Sequence, residues 1–217
     1  MQVFKDEAEF EEAVIKLLPE KGWKSDVLRY PSEQDLIDNW AAILFQNNRD
    51  RDTLNDYPLT EGEMGQIIQK INELKTPLEL NGLINGKTIG IIRDNKKDTL
   101  HYGKSVYLKI YDREEIAGGR SNYQIVQQPR FNMPESIYPA RRGDLMLLIN
   151  GMPLIHIELK KSGIPYSEAC NQIQKYHHEG VFRGIFALVQ VFVAMNPDDG
   201  VYFANPGNYQ NFNPLFY

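Results

Sequence analysis

At 217 residues the chain is long enough for one sizeable domain that hides roughly 70% of its unfolded surface on folding. A single cysteine, Cys170, excludes both a disulfide framework and a multi-cysteine zinc site, and a net charge of −5 argues against nucleic-acid binding over the whole surface. No run approaches the roughly 18 apolar residues of a membrane span and the first residues lack a signal core, so the expectation is a soluble, cytoplasmic protein with no membrane partner.

Residues 6–18 carry helical periodicity, with Phe10, Ala13, Val14, Leu17 and Leu18 on one stripe. Glu7 and Glu11 border that stripe, Glu9 and Glu12 lie further toward solvent, and Pro19 and Gly22 close the element. A second helix begins at Ser32, with Asp35 three residues on, and turns Leu36, Ile37, Trp40, Ala41, Leu44 and Phe45 inward. Residues 47–52 read as a polar loop. Thr60 and Glu63 make a capping-box pattern ahead of Met64, Ile67, Ile68, Ile71 and Leu74, and Pro77 reads as the end of that helix.

From Lys87 the pattern is β: residues 88–92, 105–111 and 123–127 are rich in β-branched and aromatic side chains. Residues 114–121, with Gly118-Gly119, read as a loop, and residues 129–143 as an irregular lead-in. Residues 184–195 read as one buried strand or two in succession. Helices, then strands, then strand–helix–strand predict an α/β fold with a mixed sheet. The polar, aromatic tail from Asn205 carries no stop signal, and the expectation is an N-terminal piece of a longer protein.

Chemistry concentrates between Arg141 and Tyr176. Two apolar runs, Leu145 to Ile149 and Leu154 to Ile157, flank Asn150-Gly151, which suits a tight reversal or a longer loop through Pro153. Strand alternation puts His156, Glu158 and Lys160 on one face, and folding back brings Asp144 near Glu158 and Lys160. Two carboxylates in an apolar frame repel unless a proton or cation sits between them, and Mg²⁺ takes one or two carboxylates plus other oxygens. The competing reading is a surface hairpin with an incidental ion pair. Against it stand the tight apolar frame and Gln172 and Tyr176, four apart on a helix that Ser167 is expected to cap.

Around this core, residues 129–183 hold seven Lys/Arg against five Asp/Glu, so positive charge gathers locally. Arg141, Arg142 and Lys161 are either backbone-phosphate contacts or solvated loop charges. His156 reads as a packing residue rather than a catalytic one, and Cys170 as a small helical packing residue. His177-His178 suit a helix C-terminus.

This assembly resembles the PD-(D/E)xK nuclease superfamily, and more closely the N-terminal nuclease domain of type I restriction enzyme R (motor) subunits. The likeness runs from Asp144 through Asn150-Gly151-Met152-Pro153-Leu154 to Ile157-Glu158-Leu159-Lys160, and on to the Gln-x-x-x-Tyr pattern of Gln172 and Tyr176. Upstream, Tyr123 to Gln128 is similar to the strand before the motif, and Phe10 to Ile15 with Gly22-Trp23 to the first helix. Archaeal junction resolvases, another branch, carry an acidic residue eleven positions before a glycine, a spacing that Glu11 and Gly22 match. The resemblance implies a restriction-endonuclease-like core, with a mixed central β-sheet flanked by helices, as a single domain over residues 1–217.

It further implies that Asp144, Glu158 and the Leu159 carbonyl ligate Mg²⁺, with Glu11 as an additional acidic ligand, and that Lys160 is the catalytic lysine. Gln172 and Tyr176 contact DNA or brace the site. The implied activity is hydrolysis of double-stranded DNA without sequence preference, within a complex of modification and specificity subunits. No Gly-x-x-x-x-Gly-Lys-[Ser/Thr] phosphate loop occurs in the chain, so ATP is expected only for the full-length motor. Gly143 stands where the family motif commonly has proline, a change in backbone rigidity that removes no chemical group. The alternative is a non-catalytic DNA-docking or subunit-interaction module on a nuclease fold.

Overall fold

Asp6 starts the first helix by accepting from the Glu9 N–H at 2.8 Å, and the computed structural model carries that helix, α1, over Glu7–Leu17. Residues 3–85, 88–110, 121–132, 141–207 and 211–212 are described. The expected loop around Gly118-Gly119, the middle of the lead-in and the end of the tail lie outside the described residues. The buried side of α1 is Phe10, Glu11 and Ile15, whereas Leu17 is 58% exposed. The buried stripe is thus rotated from the expected one, because the Glu11 carboxylate turns inward to amide donors on the sheet.

Strand β1 (Val27–Arg29) follows, too short to show a period in sequence. The capping boxes form as read. Ser32 and Asp35 open α2 (Glu33–Asn48), and Thr60 and Glu63 open α3 (Glu61–Glu73). Pro77 does not end α3. That helix stops at Glu73, and Pro77 sits in the first turn of α4 (Pro77–Ile84), where its missing N–H costs nothing. Thr76 and Glu79 form a third capping box there.

Strands β2 (Thr88–Ile92) and β3 (Ser105–Lys109) pair as a separate antiparallel ribbon. The main sheet takes β4 (Tyr123–Gln127), while β5 (Arg130–Phe131) and β6 (Arg141–Arg142) make a small ribbon at its border. Then come β7 (Leu145–Ile149), β8 (Met152–Leu159), helix α5 (Ser167–His178), β9 (Val191–Met195) and β10 (Gly200–Ala204). Residues 184–188 form a 3₁₀ turn, not the first half of a strand. An apolar run buried all round has no period that separates the two cases.

The six-stranded sheet has the order β1-β4-β7-β8-β9-β10 and is mixed: β1 runs parallel to β4 and β8 to β9, and the other pairs are antiparallel. Alternation sorts its side chains onto two faces. Ile125, Leu145, Leu147, Ile157 and Leu159 pack with Phe10 and Ile15 of α1. Val126, Met146, Leu148, Phe192 and Ala194 pack on the other face with α5, α2, α3 and the 184–188 turn. This is a restriction-endonuclease-like core, a mixed sheet flanked by helices. Among the described residues, no helix is long and apolar enough to cross a membrane.

One polar node lies deep in the second core. Arg93, fully buried, pairs with Glu63 at 2.6 Å and Asp98 at 3.1 Å and donates to the Leu54, Tyr57 and Pro58 carbonyls. Glu63 thus closes a capping box and an ion pair with one carboxylate. Arg93→Met would leave Glu63 and Asp98 buried without their cation. Urea unfolding should show a loss of about 3–5 kcal/mol, and a loss below about 1 kcal/mol would mean the network is incidental.

Candidate active site

Antiparallel register assembles the site. Asn150 and Gly151 both take positive φ, 51° and 83°, as a two-residue reversal between right-twisted strands requires, and Ile149 pairs directly with Met152. A Cβ on Gly151 would lie 2.9 Å from Trp40 Cδ1 and 3.0 Å from Trp40 Cα, so the turn also seats on α2. Of the two loop lengths open from sequence, the shorter forms. An irregularity between Leu147 and Leu148 accommodates Pro153, which has no N–H for the ladder. Past it Leu145 faces Ile157 and Met146 faces His156, and the same register carries Asp144 opposite Glu158.

The two carboxyl groups differ in their partners. Asp144 Oδ2 accepts the Leu159 N–H at 2.7 Å. Glu158 is wholly buried, and among the described residues neither of its oxygens receives an aligned hydrogen bond, although Asp144 and His156 lie beside it. Burial, then the neighbouring Glu158 charge, pushes Asp144 up to about 8, and burial pushes Glu158 up to about 8 as well. In this setting the pair retains protons near neutrality unless a cation replaces them. Unpartnered oxygens on a buried carboxylate, beside a second carboxylate and a strand end, are the donor chemistry that Mg²⁺ accepts. Among the described residues no group of three or more His, Cys, Asp or Glu is arranged to hold a metal. Two carboxylates, a main-chain carbonyl and water make a smaller set, which still suits Mg²⁺.

His156 Nε2 lies 2.9 Å from Glu158 Oε1, yet the contact is not aligned as a hydrogen bond, and among the described residues both ring nitrogens lack partners. Burial holds the imidazole down at about 4, so it is neutral, and it packs against Phe131, Tyr176, Phe182 and Phe192. A Cβ on Gly143 would sit 2.7 Å from His156 Cε1. The missing side chain of Gly143 therefore makes room for this ring.

Lys160 is held from both faces of the sheet. Its ammonium donates to Gln172 Oε1 on α5 at 2.8 Å and to Glu7 Oε1 on α1 at 3.2 Å. Gln172 Nε2 in turn donates to Tyr176 Oη at 2.8 Å, and Tyr176 donates to the Arg142 carbonyl at 2.8 Å. Burial pushes the Tyr176 phenol up, which keeps it a donor. A chain of hydrogen bonds thus runs from Lys160 back to the backbone two residues before Asp144. Ser167 does not cap α5: the preceding Tyr166 is already helical and makes no side-chain cap, so Ser167 is the first helical residue.

The remaining expected residues divide. Glu11 is buried and close enough to feel the Asp144 charge, but its carboxylate accepts from Gln127 Nε2 at 2.5 Å and Gln128 Nε2 at 3.2 Å. Burial raises its pKa first. Arg141 is committed to Glu179 through two bonds of 2.7 Å. Arg142 and Lys161 are exposed. Glu7 was not singled out from sequence as a site residue. Its signal was present, since Glu7 and Glu11 lie one helical turn apart on the border of the α1 stripe.

The family model for the type I restriction enzyme R protein N terminus matches residues 4–211. The type I restriction endonuclease subunit of Staphylococcus saprophyticus is similar at 32% identity, covering 94% of this chain and 20% of that protein. A Staphylococcus aureus endonuclease subunit is 29% identical over 93% of this chain and 20% of its own length. The Escherichia coli EcoprrI endonuclease subunit is 36% identical over 48% of this chain and 32% of its own length. The chain spans about a fifth of the length of the staphylococcal relatives.

The carboxylate pair has a consequence for stability. Folded pKa values of about 8 exceed the ordinary 3.8 of Asp144 and 4.5 of Glu158, so the folded state binds protons that the unfolded state has released. That contribution is fully present below the ordinary values and is lost as pH rises through about 8. With divalent ions chelated, unfolding free energy should therefore fall across this window. Asp144→Asn should flatten the fall in urea titrations taken at several pH values. The same slope in the variant would show that the pair is not its source.

Proposed function

The chain belongs to the family of type I restriction enzyme R protein N termini, and from that membership we propose that it is the Mg²⁺-dependent nuclease domain of such an enzyme. Residues 1–217 are read as a single PD-(D/E)xK endonuclease domain that hydrolyses double-stranded DNA without sequence preference. The observation that carries this reading is the Asp144–Glu158 pair, with Glu158 wholly buried and its oxygens unpartnered among the described residues, beside a lysine braced from two helices. The modification and specificity subunits of the complex are the proposed partners. ATP is proposed to serve the full-length motor only.

Asp144, Glu158 and the Leu159 carbonyl would hold Mg²⁺. The cation, when bound, supplies Lewis acidity to the phosphodiester and lowers the pKa of water. Lys160 acts on the same phosphate: its ammonium offsets the charge that grows there and orients the water that attacks it. Gln172 fixes the direction of the lysine, and Tyr176 fixes Gln172 in turn. Glu11 supports Asp144 electrostatically rather than serving as the first choice of ligand, since amide donors already occupy its carboxylate.

Mn²⁺ titration by calorimetry should give binding in the wild type, none in Asp144→Ala, and binding in Lys160→Ala. In the assembled restriction enzyme, both variants should lower DNA cutting by about a hundredfold or more. A wild type that binds no Mn²⁺ would instead favour the non-catalytic docking module, and undiminished cutting by Asp144→Ala would sink the nuclease reading.

A further inference from the structure

Glu158 is wholly buried and Asp144 only partly exposed, and Lys160, which follows them at the end of β8, is the member of the candidate site that borders a cleft. The two larger clefts among the described residues lie elsewhere. One, of about 660 Å³, runs between α2 and α3, and the other, of about 890 Å³, lies over the outer side of α1. Neither is lined by Asp144, Glu158 or Lys160. A third cleft, of about 450 Å³, has Lys160, Gln172 and Tyr176 in its wall. Burial orders those walls: Tyr176 and Lys160 are largely covered, whereas Asn171 and Lys175 are exposed.

Asn171 and Lys175 are one turn apart on α5 and therefore share a face. Among the described residues, the Lys175 side chain makes no hydrogen bond or ion pair, although its charge reaches Glu179. Arg141, on the same cleft, is differently placed, because its guanidinium is already held by Glu179 at 2.7 Å. An uncommitted ammonium and an exposed amide one turn apart, above a largely covered lysine, are the groups that contact phosphate oxygens without reading bases.

We propose that this cleft is a DNA-backbone site, in which Lys175 and Asn171 hold a phosphate next to the one presented to Lys160. The proposal rests on the nuclease reading for the identity of the ligand, but it assigns residues that reading does not use. It also assigns a sign to Glu168. This exposed carboxylate lines the same cleft and repels the strand, so it limits affinity.

The test is binding of a short labelled duplex of arbitrary sequence, with Ca²⁺ in place of Mg²⁺, followed by anisotropy over a range of salt. Lys175→Ala should weaken binding several-fold and reduce the slope of log affinity against log salt by about one. Asn171→Ala should weaken binding with little change in slope, and Glu168→Gln should tighten it. Lys97→Ala, an exposed lysine in the β2–β3 connection, should change neither quantity. Wild-type affinity and slope in Lys175→Ala, or no duplex binding by the wild type at low salt, overturns the proposal. The two readings fail separately. If Asp144→Ala abolishes cutting while Lys175→Ala binds normally, only the cleft is misassigned. If Lys175→Ala loses binding while Asp144→Ala retains cutting, the cleft stands and the metal site falls.

Discussion

Asp144 and Glu158 face each other across the β7–β8 ladder in surroundings that favour neither charge, and both carboxyl groups respond by holding protons well above the ordinary carboxylate range. Isolated, each buried charge would cost several kcal/mol. The neighbouring structure lowers that cost without removing it. The Leu159 N–H occupies one oxygen of Asp144. Among the described residues no aligned hydrogen bond of that kind reaches Glu158, which lies against His156. The asymmetry is chemically directional: one carboxylate is pinned by the backbone, and the other is left with its lone pairs open.

The end of β8 then becomes the meeting point of the two helical layers. The Phe4 N–H donates to Ser162 Oγ at 3.0 Å, and Glu7 reaches Lys160 from the same side. From the opposite side Gln172 and Tyr176 reach the same lysine and the backbone before Asp144. A displacement of either helix would therefore move Lys160 relative to the carboxylates. Such bracing from opposing elements is how a site keeps its geometry when its own charges work against its stability.

Local chemistry was legible in the sequence, and tertiary choices were not. Ser32–Asp35 and Thr60–Glu63 announce helix starts because the capping box is complete within four residues. Asn150-Gly151 announces a reversal because its backbone conformation suits these residues. Pro77 misled because proline marks either side of a helix boundary, and only Thr76–Glu79 distinguishes a start. The inward turn of Glu11, by contrast, depends on Gln127 and Gln128 more than a hundred residues away, which no window can contain. The same holds for Glu7, whose meaning comes from Lys160, and for Gly143, whose missing Cβ matters only once the His156 ring is in place. Pairing within the hairpin was readable, and pairing between the hairpin and the first helix was not.

Stability and chemistry are also separated in space. Among the described residues the site combines unpartnered carboxylate oxygens with a histidine that has no hydrogen-bond partner, features that destabilise a fold until they are used. Arg93 is the opposite case: an equally buried charge, but with two carboxylates and three carbonyls around it. That network ties α3 to the segment between β2 and β3 and to residues 54–58. α3 also packs on the 184–188 turn that feeds β9, the strand beside β8. The satisfied charge thus stiffens the scaffold from which the unsatisfied ones are presented. A charge buried with all its partners fixes structure, and a charge buried without them asks for a ligand.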